Sequence, residues 1–421
     1  MDMYKQIDSY ARLLTLYPEG SRLSSFERLM AARGPLLSWY RENRRKLPWR
    51  ETADAYAIWI SEIMLQQTRV EAVKPYYARF MELFPTVWEL KEAPDDLLLK
   101  CWEGLGYYSR ARNLKKAAAV IVNQYGGRLP ASYEGLLSLP GIGSYTAGAI
   151  GSIAYGLPVP AVDGNVMRVL SRVTGSREDI GKQQTKRQME RLVKQVLEET
   201  KEERPRNSWD GDLEARSGSG WDGFPENPPG DFNQALIETG AVLCVPNGEP
   251  LCGGCPFRTV CAAKIEGLTG LLPVKSPKKK RKIEEKTVLL LEYQDKIAIR
   301  KRAEEGLLAS LYEFPNESAA LNKEELSRLF SGRAKRIEEL CEAKHIFSHT
   351  EWHMKGYFLS LTDPEIGVLL EAGEPVFFVE WKELKERYAL PNAFQAYRRF
   401  LEGYFEGRDP KAAGKERHGG Q

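Results

Sequence analysis

The sequence predicts a multidomain chain in which an all-α N-terminal two-thirds is followed by a smaller α+β domain. Three observations carry this: apolar residues recur at helical spacing from Tyr56 to about Ala263, a basic segment at Lys275–Lys282 interrupts them, and β-prone runs begin at Thr287. A length of 421 residues accommodates two to three domains of roughly 150 residues. Lys and Arg (61) nearly balance Asp and Glu (58), and 42% of residues are hydrophobic, which excludes a disordered or polybasic scaffold. Any nucleic-acid contact must then come from local patches. No apolar run approaches the ~18 residues of a membrane span. The start, Met1-Asp2-Met3-Tyr4-Lys5-Gln6, lacks the order of a signal peptide, so neither membrane nor export is expected.

In chain order, residues 1–25 read as an extension, and Phe26 to Arg45 as a helix running into the basic stretch 41–46. Helices with short turns follow. Residues 203–231, rich in Gly, Pro, Ser and Asp around Trp209 and Trp221, have no periodicity and read as a long inserted loop. Lys275–Lys282 carries six positive charges in eight residues, a linker composition. Thr287 to Tyr293 and Lys296 to Arg300 are strands around a Gln-Asp turn, and Glu351 to Leu361 is another strand. Asn392 is expected to cap a closing helix with Phe394, Tyr397, Leu401 and Tyr404 as its apolar stripe, before a polar tail at 407–421.

Three constellations carry chemistry. Leu139-Pro140-Gly141-Ile142-Gly143-Ser144 enters a small-residue helix; glycines two apart allow a tight turn and leave amides free to hold a phosphate, although an ordinary glycine-capped connection reads the same. Asp163 opens a helix at Val162-Asp163-Gly164-Asn165 and suits either an N-cap or a functional carboxylate, while Glu62 lies in the apolar run Trp59–Leu65. Together they match what cleavage of a glycosidic bond requires, an acid for the leaving group and an anion for an oxocarbenium-like sugar. At an ordinary pKa near 4.3 only about one Glu in 500 is protonated at pH 7, so burial has to raise that of Glu62. Six cysteines are too few for a disulfide scaffold, and four of them, Cys244, Cys252, Cys255 and Cys261, follow C-x7-C-x2-C-x5-C. That spacing indicates a metal centre in a reducing compartment, zinc or iron–sulfur.

These residues bring a family into view. Leu47-Pro48-Trp49-Arg50, the run from Ser61 to Thr68, Gly104-Leu105-Gly106-Tyr107-Tyr108, the glycine turn, Val162–Asn165 and the cysteine loop together resemble MutY-type adenine DNA glycosylases, over nearly all of 47–405. The resemblance implies a helix-hairpin-helix glycosylase core with an iron–sulfur cluster loop, followed by an α+β Nudix-like domain. It implies a helical iron–sulfur domain at 26–52 and 158–266, a six-helix barrel at 53–157, a linker at 267–286 and an 8-oxoguanine recognition domain at 287–406. The cysteine loop is similar to the family's [4Fe-4S] loop, with one extra residue in the first gap.

By the same resemblance Glu62 protonates adenine and Asp163 stabilises the sugar, supported by Tyr145 and Asn165. Arg50 and Gln234 fall where adenine-pocket residues occur, Gln67, Thr68, Leu105 and Tyr107 at the duplex contacts and wedge, and Gly141 and Gly143 at the phosphate turn. Core packing is the alternative reading for Leu105 and Tyr107. Phe347, Ser348 and His349 resemble the loop that checks for 8-oxoguanine. Tyr145 stands where bifunctional relatives carry a lysine, so a monofunctional enzyme is expected. Four-residue spacing in a strand-rich segment places His345, His349 and His353 on one side, without acidic partners. The expected partner is double-stranded DNA with an adenine:8-oxoguanine mispair, the default state a monomer, and the setting a bacterial cytoplasm at the nucleoid. A thymine or uracil mismatch glycosylase, or a non-catalytic lesion reader, stands as the alternative.

Overall fold

The computed structural model describes residues 23–199, 227–277, 280–365 and 375–407. Residues 1–22 of the expected extension, residues 203–226 of the expected loop and the polar tail from residue 408 lie outside the described residues. The helices before the sheet are α1 (Ser25–Asn43), α2 (Ala55–Leu65), α3 (Val70–Leu83), α4 (Val87–Glu92), α5 (Asp95–Cys101), α6 (Ser109–Tyr125), α7 (Tyr133–Leu137), α8 (Ser144–Tyr155), α9 (Gly164–Thr174), α10 (Gln183–Glu199), α11 (Pro228–Val242) and α12 (Ala262–Ile265). Residues 228–231, read from sequence as the end of the loop, are the first turn of α11. Two prolines start it, and the Asn227 side chain caps it by accepting from the Gly230 amide.

The chain divides into two compact units, residues 1–91 with 113–277 and residues 92–112 with 278–421. In the first, a Ser24/Glu27 capping box starts α1 and Asp54 caps α2 through the Tyr56 and Ala57 amides. Every residue of α2 from Tyr56 to Met64 is buried, the signature of a helix packed on all sides. One core gathers Leu36, Leu170, Val193, Leu236 and Phe257. Elsewhere Trp59, Phe80, Ile121 and Ile150 are buried.

The second unit is built on β1 (Lys282–Tyr293), β2 (Lys296–Lys301), β3 (Tyr312–Glu313), β4 (Asn316–Glu317), β5 (Ala334–Glu339), β6 (Ala343–Ile346), β7 (Thr350–Leu361) and β8 (Val376–Glu380). Its remaining helices are α13 (Lys323–Leu329), α14 (Trp381–Arg387) and α15 (Gln395–Glu406). β1 runs parallel to β7 from Lys282↔Thr350 to Glu292↔Ser360, while the other pairings are antiparallel. Gln294 and Asp295 both have positive φ, the tight hairpin turn between β1 and β2. One sheet face packs Val288, Leu290, Phe358, Tyr397 and Leu401; the other packs Leu289, Leu291, Phe330 and Leu359.

Two sequence expectations change here. Asn392 does not cap α15: residues Asn392–Phe394 form a separate 3₁₀ turn, and the Asn392 side chain donates to the Gly104 carbonyl at 3.2 Å. The three histidines do not share a side. His345 pairs with Trp352 and His353 with Lys344, on alternate faces, while His349 sits beyond β6 in the turn. His353 does have acidic neighbours, Glu351 at 2.7 Å and Glu285 at 3.7 Å.

Candidate active site

The site is assembled where α2, α8, α9 and α11 meet. Gly148 of α8 lies so close to the chain before Asp163 that a Cβ there would stand 1.9 Å from the Pro160 carbonyl oxygen. A Cβ on Gly240 of α11 would stand 2.9 Å from that of Asn165. Only glycine permits either approach.

Glu62 is buried, 7% exposed, inside the apolar α2. The Tyr145 hydroxyl of α8 donates to its Oε2 at 2.8 Å. Burial pushes the Glu62 carboxyl up to about 7; the Tyr145 hydrogen bond and the Arg50 charge pull it down, and the Asp163 charge pushes it further up. Tyr145 itself is raised well above the usual tyrosine range, first by burial and then by the charges of Glu62 and Asp163. A carboxyl near 7 is about half protonated at neutral pH, a gain of roughly two hundredfold over an ordinary Glu.

Asp163 is both things the sequence allowed. It is the N-cap of α9, accepting from the Val166 amide at 2.8 Å, and its second oxygen accepts from Asn165 Nδ2 at 2.9 Å. Burial raises its carboxyl, while those hydrogen bonds and the Arg168 charge favour the anion. Arg168 holds Asn165 in turn, donating to its Oδ1 at 3.1 Å. The charge of Asp163 raises both the Glu62 carboxyl and the Tyr145 hydroxyl, so the three groups are electrostatically coupled.

Around Arg50 lies a group that the sequence reading missed. Arg50 Nη2 donates to Glu238 Oε2 at 2.7 Å, and Arg45 Nε to Glu238 Oε1 at 2.7 Å. The Glu238 side chain is 0% exposed; burial works to raise its carboxyl, but the two arginines overcome this and hold it at about 2. Arg50 also stands 5.8 Å over the Tyr40 ring. A signal was available, because Glu238 interrupts the apolar run of α11 as Glu62 interrupts α2. Gln234, half-buried one turn earlier, lies on the same side of α11 as Glu238.

The glycine turn joins α7 to α8. Gly141 has φ +77°, and a Cβ there would meet Asn113 at 2.7 Å; Gly143 opens α8 with no side-chain cap and nothing within 4 Å of its Cβ direction. First-turn amides and the helix dipole at such a turn can favour an anion. Gln67 is exposed with φ +58°, and half-buried Thr68 donates its amide to the Leu65 carbonyl.

The other expected contacts fall in the second unit. Leu105 is buried, which favours packing for it, whereas Tyr107 is 46% exposed with φ +48°. Ser348 and His349 are exposed at the tip of the β6–β7 turn, closed by the Phe347 amide donating to the Thr350 carbonyl. The Tyr107 hydroxyl lies 3.5 Å from Ser348 Oγ.

Cys244, Cys252, Cys255 and Cys261 all line one cavity of about 20 Å³ at the end of α11, together with Arg172 and Phe257. Arg172 Nη1 points at the Cys244 sulfur, 3.3 Å away. Gly248, with φ +77°, lies in the turn of the longer first gap, which the Leu251 amide closes on the Leu243 carbonyl. Among the described residues no three His, Cys, Asp or Glu side chains already surround a single point.

Residues 60–195 match the HhH-GPD superfamily of base excision DNA repair proteins, and residues 287–399 match the NUDIX domain. With the hairpin and the paired carboxyls, this defines a base-excision DNA glycosylase joined to a Nudix-like domain. Human adenine DNA glycosylase is 33% identical over 410 residues, covering 82% of this chain and 68% of its own. That of Buchnera aphidicola subsp. Baizongia pistaciae is 34% identical over 318 residues, covering 75% of this chain and 82% of its own. A solved thermostable thymine-DNA glycosylase aligns at 26% identity and a TM-score of 0.45, covering 57% of this chain and 98% of that one. The chain belongs to the adenine DNA glycosylase family and is an enzyme that removes adenine from DNA in base excision repair. No described helix is long and apolar enough to cross a membrane.

Proposed function

We propose that this enzyme excises adenine opposite 8-oxoguanine, or guanine, by acid-assisted hydrolysis of the N-glycosidic bond. The observation that carries the mechanism is the buried Glu62 carboxyl, hydrogen-bonded to Tyr145 and electrostatically coupled to Asp163. The adenine nucleotide leaves the stack, since the bond is out of reach inside a duplex. Protonated Glu62 delivers its proton to the departing base. Ionised Asp163, steadied by Asn165 and the Val166 amide, stabilises the positive sugar until water bonds to its carbon and gives up a proton to the Glu62 carboxylate, leaving an abasic site. Arg50 and Gln234 border the base pocket, and the 141–145 turn holds a backbone phosphate.

Phe347, Ser348 and His349 supply a ring, a hydroxyl and an imidazole to probe the opposite base. Single-turnover assays on duplexes with adenine opposite 8-oxoguanine, adenine opposite guanine and thymine opposite guanine test this reading. The first is expected to react fastest and the third not at all; release of thymine overturns the substrate assignment. Replacing Phe347 and Ser348 by Ala is expected to erode the preference for 8-oxoguanine over guanine by about tenfold, the size of one or two lost polar contacts.

Tyr145 cannot form a Schiff base. Borohydride treatment of the reacting complex is therefore expected to trap no covalent adduct, and efficient trapping through a lysine contradicts a monofunctional enzyme.

The four cysteines fit a [4Fe-4S] cluster in donor type and in sharing one cavity, with Arg172 beside a ligand sulfur. Cys244, Cys252, Cys255 and Cys261 would hold it, and its part there is structural, tying α9, α11 and α12 together. Brown protein with broad visible absorbance and about four irons per chain is expected; colourless protein with one zinc overturns this.

A further inference from the structure

Residues 92–112 carry the Gly104–Tyr108 loop, yet they cluster with the C-terminal residues. The attachment is specific. Glu103, with a side chain 13% exposed, accepts from the Leu390 amide at 3.0 Å and from Arg398 Nη1 at 2.7 Å on one oxygen, and from Lys100 Nζ at 2.7 Å on the other. Lys100 reaches on to the Tyr388 carbonyl at 3.0 Å. Asn392 donates to the carbonyl of Gly104, the next residue. Farther along, Asp96 accepts from Lys301 and Tyr312, each at 3.0 Å, and Arg112 donates to the Ala309 carbonyl. Three of the four residues after Glu103 depart from ordinary backbone: Gly104, Gly106 and Tyr107 all have positive φ. Such a loop needs outside support to hold one conformation. At its end Tyr107 meets Ser348.

We infer that Glu103 is a positioning residue that holds the Tyr107 loop against the Ser348 turn, so that the duplex wedge and the lesion-reading turn act as one body. This rests on the proposed reading of Phe347–His349. Glu103 touches no substrate; it fixes where Tyr107 stands relative to Ser348. With the anchor cut, Tyr107 engages DNA without reporting what Ser348 meets, and selectivity falls more than turnover does.

The test compares single-turnover rates for adenine opposite 8-oxoguanine and opposite guanine in Glu103→Gln, Arg398→Met, Ser348→Ala and the Glu103→Gln/Ser348→Ala pair, all as full chains with melting checked. Arg398→Met severs the same ion pair from the other side, should Glu103→Gln fold poorly. Each anchor variant is expected to lower the rate ratio by about fivefold or more, and the pair to be no worse than Ser348→Ala alone, the non-additivity of coupled residues. Fold-changes that multiply in the pair, or an unchanged ratio in both anchor variants while Ser348→Ala lowers it, overturn the role of Glu103. An unchanged ratio in Ser348→Ala as well overturns the lesion-reading assignment beneath it.

Discussion

Glu62→Gln is expected to slow single-turnover adenine release by roughly 10²–10⁴-fold, the range for a lost general acid, while making the folded protein more stable at pH 8. The two effects share one cause. The Glu62 carboxyl sits at about 7 against an ordinary 4.5 because burial disfavours its charged form. Between those values the folded state keeps a proton that the unfolded chain has released. This group's contribution is therefore fully present below about pH 4.5 and is lost as pH rises to about 7. The loss is at most about 3.5 kcal/mol, since each pKa unit is worth about 1.4 kcal/mol. Gln still accepts from the Tyr145 hydroxyl and never ionises, so the variant escapes that loss. In the wild type the rate should fall above an apparent pKa near 7, where Glu62 loses its proton, and fall again in acid as Asp163, its carboxyl raised by burial, takes one up. Rate measurements from pH 5 to 9 and parallel thermal melts check both limbs; a wild-type rate in Glu62→Gln removes Glu62 from the mechanism. Asp163→Asn keeps the cap on α9 but removes the proposed anion; a charge ~4 Å from a sugar cation is worth on the order of 4 kcal/mol, so a loss of about a thousandfold in rate is expected.

The parts of this site that were legible in the sequence are those whose physics is local. Gly141 announces a turn because its φ of +77° and its approach to Asn113 leave little room for another residue. Asp163 announces a helix start, and Asn165 stands two residues away from it. Glu62 is conspicuous because a carboxylate is costly in an apolar helix. What stayed hidden depends on partners distant in the chain. Arg45 and Arg50 reach Glu238 across 193 and 188 residues, and Glu103 reaches Leu390 and Arg398 across 287 and 295. No window of sequence holds both ends of such a contact. The histidine reading failed for another reason: the chain reverses at 347–349, so four-residue spacing no longer means one side of a strand.

Glu238→Gln is expected to cost about 3–5 kcal/mol of stability, because it leaves two arginines facing a buried position without their counter-charge. For a protein of this size that lowers the melting temperature by roughly 10 °C. The pH signature runs opposite to that of Glu62. The Glu238 carboxyl is held at about 2 against 4.5, so its contribution is present above pH 4.5 and disappears as pH falls toward 2. The variant and the wild type should therefore converge in stability in strong acid and diverge near neutrality. Catalysis should respond as well. Arg50 already pulls the Glu62 carboxyl down, and an Arg50 no longer neutralised by Glu238 pulls harder. The fall in rate with pH should then begin at a lower pH in Glu238→Gln and at a higher pH in Arg50→Met. Opposite displacements in the two variants separate an electrostatic role for this pair from simple unfolding, which would lower the rate at every pH without moving its midpoint.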